Sequence, residues 1–149
     1  MALDAGLAIA HFFFVFVIVG ALSGEMFVLR LSPSAPVLRL LARMDILYGA
    51  AAVGVIAAGA ARVGYGLKDA AFYLGSHAFW AKMALFALVG ALSIWPTIKY
   101  IEWNGAIRKD PDFVPPPTQW KAARTLVLIE LHGLALMVVF AALMARALG

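Results

Sequence analysis

Four long apolar runs, separated by short polar or proline-bearing connections, leave this chain essentially one class of fold. They cover Ala5 to Leu29, Met44 to Ala61, Phe79 to Ile98 and Thr125 to Ala145. A bilayer core roughly 30 Å thick takes about 20 helical residues at about 1.5 Å each, so every run is near the length needed to cross it. Backbone N–H and C=O groups in hydrocarbon must pair within the protein, and a spanning barrel shows short alternating segments, so the continuous runs predict helices. The chain is 64% hydrophobic and 13% charged, with a mean hydropathy of +0.94, a balance that one water-soluble core of 149 residues could not bury. The expected fold is all-α, an integral membrane four-helix bundle forming a single transmembrane domain over residues 1–149, with the lipid bilayer as its solvent.

The connections fit that reading. Ser32, Pro33, Ser34, Ala35 and Pro36 make a tight turn that stops one helix and starts the next. Val63 to Ala78, with Gly64, Gly66 and Gly75 among Tyr65, Phe72 and Tyr73, is expected to hold a short interfacial helix. Gly105 to Lys121 ends in Pro115, Pro116 and Pro117, a stiff extended piece of chain. The first run has Asp4 and no Lys or Arg at its start and no cleavage site leading to a soluble domain, so it reads as a mature helix. The isoelectric point near 9.7 comes from scattered cations that form no basic stripe, which removes nucleic acid as a partner. There is no cysteine, so thiolate metal sites, disulfides and cysteine nucleophiles are excluded. No dinucleotide, P-loop, zinc-protease or serine-hydrolase motif occurs.

Basic residues set an expected orientation. Arg30, Arg39, Arg43, Lys99, Arg108, Lys109, Lys121 and Arg124 lie on the side of the first and third connections, against Arg62, Lys68, Lys82 and Arg146 on the other. Eight against four places both termini outside the cytoplasm. Tyr65, Tyr73 and Trp80 would then anchor the outer interface, and Tyr100, Trp103 and Trp120 the inner one.

An ionisable side chain in hydrocarbon costs several kcal/mol, so each one within a span is either paired or functional. His11 and Glu25 are fourteen residues apart and return to within about 40° of one helix face. Glu25 and Glu130 are expected to pair with Arg39, Arg43 or Lys99. Lys82 shares a face with Ser93 and Pro96, and Pro96 removes a backbone donor. Glu130 and His132 are two residues apart, about 200° around the helix, so only one can face inward squarely. Gly20, Ala21 and Gly24 allow close approach of a neighbour, within this bundle or in a homodimer or larger membrane complex.

A neutral imidazole in a span needs a partner for its N–H, and imidazoles on facing helices can ligate haem iron. His11 and His132 are the candidate axial pair for a haem b, with His77 as an alternative partner of His11 and with Lys82, Arg43 and Arg62 available to the propionates. The depths of His11 and His132 differ by about 11 Å at about 1.5 Å per residue, which calls for a tilted macrocycle. This makes a small electron-transfer protein the leading expectation, with a non-catalytic accessory or assembly subunit docking through Gly20 and Gly24 as the alternative. A channel lined by Glu25, Asp45, Lys99 and Glu130 is a third reading, weakened by the lack of an internal repeat.

The segments Ala42, Arg43, Met44, Asp45 to Tyr48 and Gly49, then Arg62 to Lys68, Ala71 to Leu74, Phe79, Trp80, Lys82, and Ser93, Trp95, Pro96, Thr97 resemble the bacterial membrane family termed domain-of-unknown-function family 2214. The closing Ala141 to Arg146 matches as well, and the resemblance implies a multi-pass protein of the bacterial inner membrane. A second likeness, carried by His11, Trp80 and Lys82, is to HemJ-type protoporphyrinogen oxidases; it implies His11 as a haem ligand and Lys82 as part of the same site. The chain departs from that pattern at Trp95 and Pro96 and at Glu130 and His132.

Overall fold

The computed structural model describes residues 2–65 and 74–146, and every regular element in them is a helix. The order is α1 (Ala2–Val28), α2 (Ala35–Tyr65), α3 (His77–Lys109) and α4 (Pro117–Arg146). All four contain stretches long and apolar enough to cross a membrane. The interfacial helix expected between the second and third spans falls mainly on residues outside the described set.

The helices run past the apolar segments that seeded them. α2 begins nine residues before Met44 and α3 continues beyond Ile98 to Lys109, so at about 1.5 Å per residue each exceeds the ~30 Å hydrocarbon layer. Local chemistry sets the ends. Ser76 caps α3, its Oγ accepting from the Phe79 N–H at 3.4 Å, and the Trp80 indole N–H donates to the Leu74 carbonyl at 3.0 Å. Asp110 closes the helix, its N–H donating to the Ala106 carbonyl at 2.9 Å, and its carboxylate accepts from the Asp112 N–H at 3.1 Å. Pro117 then opens α4, where a missing N–H costs nothing.

Packing follows a ring, α1 to α2 to α3 to α4 and back to α1, in which the α1–α2 and α3–α4 hairpins are close and the two contacts between hairpins are sparser. The end of the bundle carrying the 29–34 and 110–116 connections, here the loop end, holds most of the buried core. Leu22, Leu29, Leu38, Leu41, Ile107 and Val127 are all almost wholly inaccessible there. Tyr100, Trp103 and Trp120 stack in series with ring centroids 5.7 and 5.6 Å apart, joining α3 to α4. Toward the other end, which carries the N-terminus and is called the terminal end, α1 turns Ile9, Phe12, Phe13 and Phe16 outward. Such an apolar exterior is compatible only with lipid around it.

Glycines set the helix spacing at defined points. A Cβ on Gly54 would sit 2.6 Å from the Phe14 ring, so that ring lies directly on the α2 backbone. A Cβ on Gly133 would sit 2.6 Å from Val89, marking the close approach of α3 and α4. Gly24 of the small-residue motif is used the same way, against Met44 within the chain, whereas Gly20 is exposed with open space beside it.

Candidate functional site

Two groups of polar side chains are assembled inside the apolar body, one at each end. At the loop end each helix contributes one or more. Glu25 from α1 and Glu130 from α4 are 1% exposed, and Asp45 from α2 is 8% exposed. Tyr100 from α3 is 1% exposed. The three carboxyl groups lie within electrostatic range of one another. The Tyr100 hydroxyl lies beside Glu25 without meeting it at hydrogen-bond geometry, and that hydroxyl, Glu25 Oε1 and both Glu130 carboxyl oxygens have no hydrogen-bond partner. Asp45 is held in place by Thr97, whose hydroxyl donates to Oδ1 at 2.7 Å. Tyr48 lies beside Ser93, which donates to the Gly90 carbonyl at 2.8 Å.

The expected ion pairs for Glu25 and Glu130 are not formed. Lys99 turns outward and pairs with Glu102 at 2.6 Å, and Arg39 and Arg43 are exposed on α2. The reason is position around the helix: the cations sit on faces that reach the interface, while the carboxyl groups sit on the inner stripe. Among the described residues no Lys or Arg forms an ion pair with any of the three carboxyl groups. Asp45 joins the two glutamates, as the channel reading of the sequence expects, while Lys99 does not. The signal was available in the register: Asp45 lies three residues before Tyr48, and four and seven residues after the buried Leu41 and Leu38, on the same stripe of α2.

At the terminal end three helices converge on a cationic group. His11 from α1 is half-buried, its ring 3.5 Å from where a Cβ on Gly59 would stand. Lys82 from α3 and Arg62 from α2 both lie within electrostatic range of the imidazole, and of each other. His11 Nδ1 is turned toward the α2 backbone near Val55, buried and without a hydrogen-bond partner, and Arg62 Nε is likewise buried and unpartnered. The Lys82 ammonium lies 5.7 Å from the Phe79 ring centroid.

The other histidines are placed differently. His132 is exposed on the outer face of α4, with Nδ1 2.7 Å from the Leu128 carbonyl one turn earlier. Glu130 takes the inward direction, and the 200° between the two positions sends His132 out. His77 is exposed at the first residue of α3. The structure thus brings His11 together with Lys82 and Arg62 and does not bring it together with His132; Arg43 lies at the opposite end. Among the described residues no group of three His, Asp or Glu side chains is arranged to hold a metal ion.

Between α2 and α3 runs a cleft of about 670 Å³. Its loop-end portion is polar, with Asp45, Thr97, Tyr100 and Asn104, and its walls become apolar toward Ile56 and Phe86. Those two residues lie within about one helical turn of Gly59 and Lys82, so the cleft runs from the carboxyl group nearly to the cationic one.

Residues 3–149 match the protein family described as "Predicted membrane protein (DUF2214)", and the chain belongs to that family. Comparison with curated proteins and with solved structures returns no match.

Proposed function

We propose that this DUF2214 chain is a small haem-binding protein of the bacterial inner membrane, its termini outside the cytoplasm, in which His11 would ligate the iron and Arg62 and Lys82 would pair with the propionates. The observation that carries the reading is the convergence of these three side chains from three helices. His11 Nδ1 faces the backbone of α2, which leaves Nε2 as the ligating nitrogen and lets a backbone contact orient the ring. A propionate would meet the Arg62 Nε–H, a buried donor that otherwise has no acceptor. Phe79 supplies aromatic surface near the same end, its ring centroid 5.7 Å from the Lys82 ammonium. A bound haem b would contribute one-electron chemistry; the chain's own part is to hold, orient and neutralise it. The surroundings of His132 do not suit it to be the second ligand.

The accessory-subunit reading has less support, since Gly24 is occupied by Met44 inside the bundle and only Gly20 remains open.

The test is the absorption spectrum of the purified protein after incubation with haem. A Soret band that persists through detergent exchange is expected. His11→Ala should abolish it, and Arg62→Gln should weaken haem retention with the band position preserved. A colourless wild type after reconstitution, or an unchanged spectrum in His11→Ala, overturns the reading.

A further inference from the structure

The polar floor of the α2–α3 cleft has no role in the haem reading, and its chemistry specifies a ligand of its own. We infer that this cleft binds a planar, hydroxyl-bearing aromatic amphiphile of the hydroquinone class, its ring hydroxyls at Asp45 and Tyr100 and its apolar part directed toward Ile56 and Phe86.

The gradient along the cleft is the first argument. Polar groups are concentrated at the loop end, where α2 and α3 approach the membrane boundary, and the apolar walls lie at hydrocarbon depth. An amphiphile lying in the bilayer presents the same gradient. The second argument is the composition of the floor. Asp45 accepts hydrogen bonds, Tyr48, Ser93, Thr97, Tyr100 and Asn104 both donate and accept, and among the described residues no Lys, Arg or His lines the cleft. An anionic phospholipid headgroup has no counter-charge there, whereas a neutral hydroxyl head is matched. The Tyr100 hydroxyl is a buried, unpartnered group on a side chain 1% exposed, and it lines this cleft.

Shape gives the third argument. Gly49 on α2 and Gly90 on α3 both line the cleft, and a Cβ added at either would meet nothing within 4 Å. Open space thus lies beside both glycines on opposing walls, room for a planar ring with Tyr48 and Phe86 alongside.

The experiment uses the full chain in lipid nanodiscs and a short-tailed naphthohydroquinone held reduced, with its dimethyl ether as a probe of the same shape that cannot donate. Saturable binding of the hydroquinone is expected, with at least tenfold weaker binding of the ether. Gly49→Leu puts a side chain into the slot, starting from a Cβ that meets no protein atom, and should reduce affinity at least tenfold while the protein still folds. Tyr100→Phe removes the hydroxyl that lies beside Glu25 and should weaken binding several-fold. Equal binding of hydroquinone and ether, undiminished binding by Gly49→Leu, or a dimer that Gly49→Leu dissociates would overturn the proposal. Because His11 lies outside the cleft, loss of the Soret band in His11→Ala with hydroquinone binding intact separates the two readings.

Discussion

The two ends of this bundle are built on opposite terms. At the loop end the helices close on Leu22, Leu41, Tyr100 and Val127 and enclose three carboxyl groups that, among the described residues, have no cation paired with them. At the terminal end they enclose a histidine, an arginine and a lysine, and packing is looser, with large side chains turned to lipid. In a bilayer, apolar burial between helices gives little net drive, so helix contact depends on van der Waals fit and close approach. The loop end therefore carries the stability, and the terminal end contributes less to it.

That division is most sharply tested by core truncation. Leu41→Ala at the loop end, where the side chain is 0% exposed, should cost about 2–5 kcal/mol. Val53→Ala, 67% exposed toward lipid in the same helix, should change stability by under about 0.5 kcal/mol. Urea unfolding in mixed micelles, or melting in nanodiscs, measures both. Equal losses would mean that stability is spread evenly along the bundle.

Glycine contacts test the same division at the next level of effect. Gly54→Ala drives a Cβ into the Phe14 ring, a stiff neighbour, and should cost about 1–3 kcal/mol. Gly24→Ala meets only the Sδ and Cε atoms of Met44, the far end of a flexible side chain, and should cost about 1 kcal/mol or less. A reversed order would show that the α1–α2 contact is fixed at its loop end and not along its middle. Smaller again is Thr97→Val, which removes the 2.7 Å hydrogen bond to Asp45 and should cost about 1 kcal/mol, read as a lowered melting temperature.

The all-helical bundle was legible in the sequence because hydropathy over runs of this length admits no other backbone that satisfies itself in lipid. Pairing of side chains was legible only in part. The common face of His11 and Glu25 followed from helix arithmetic, and both do point inward. The supposed partners of Glu25 and Glu130 did not, because sequence spacing fixes a residue's angle on its own helix and not which neighbouring helix that angle meets. Arg39, Arg43 and Lys99 lie near enough in depth to pair, yet they occupy the outward faces of α2 and α3. The channel reading of the sequence groups Asp45 with Glu25 and Glu130, and the ring order of the four helices is what places it beside them.

His132 gives the smallest predicted effect and the clearest discrimination. Two residues separate it from Glu130, so one of the pair had to turn away, and burial of the carboxyl group inside the four-helix ring decided which. Its imidazole keeps a contact with the Leu128 carbonyl on its own helix, so removing it breaks no contact between helices. His132→Ala should therefore shift stability by under about 0.5 kcal/mol and leave the haem spectrum unchanged, while His11→Ala abolishes the band. A His132→Ala variant that lost its Soret band would require α4 to rotate by about half a turn on haem binding. Such a rotation would bring Glu130 out of the carboxyl group at the other end, and the two ends would then be coupled parts of one device.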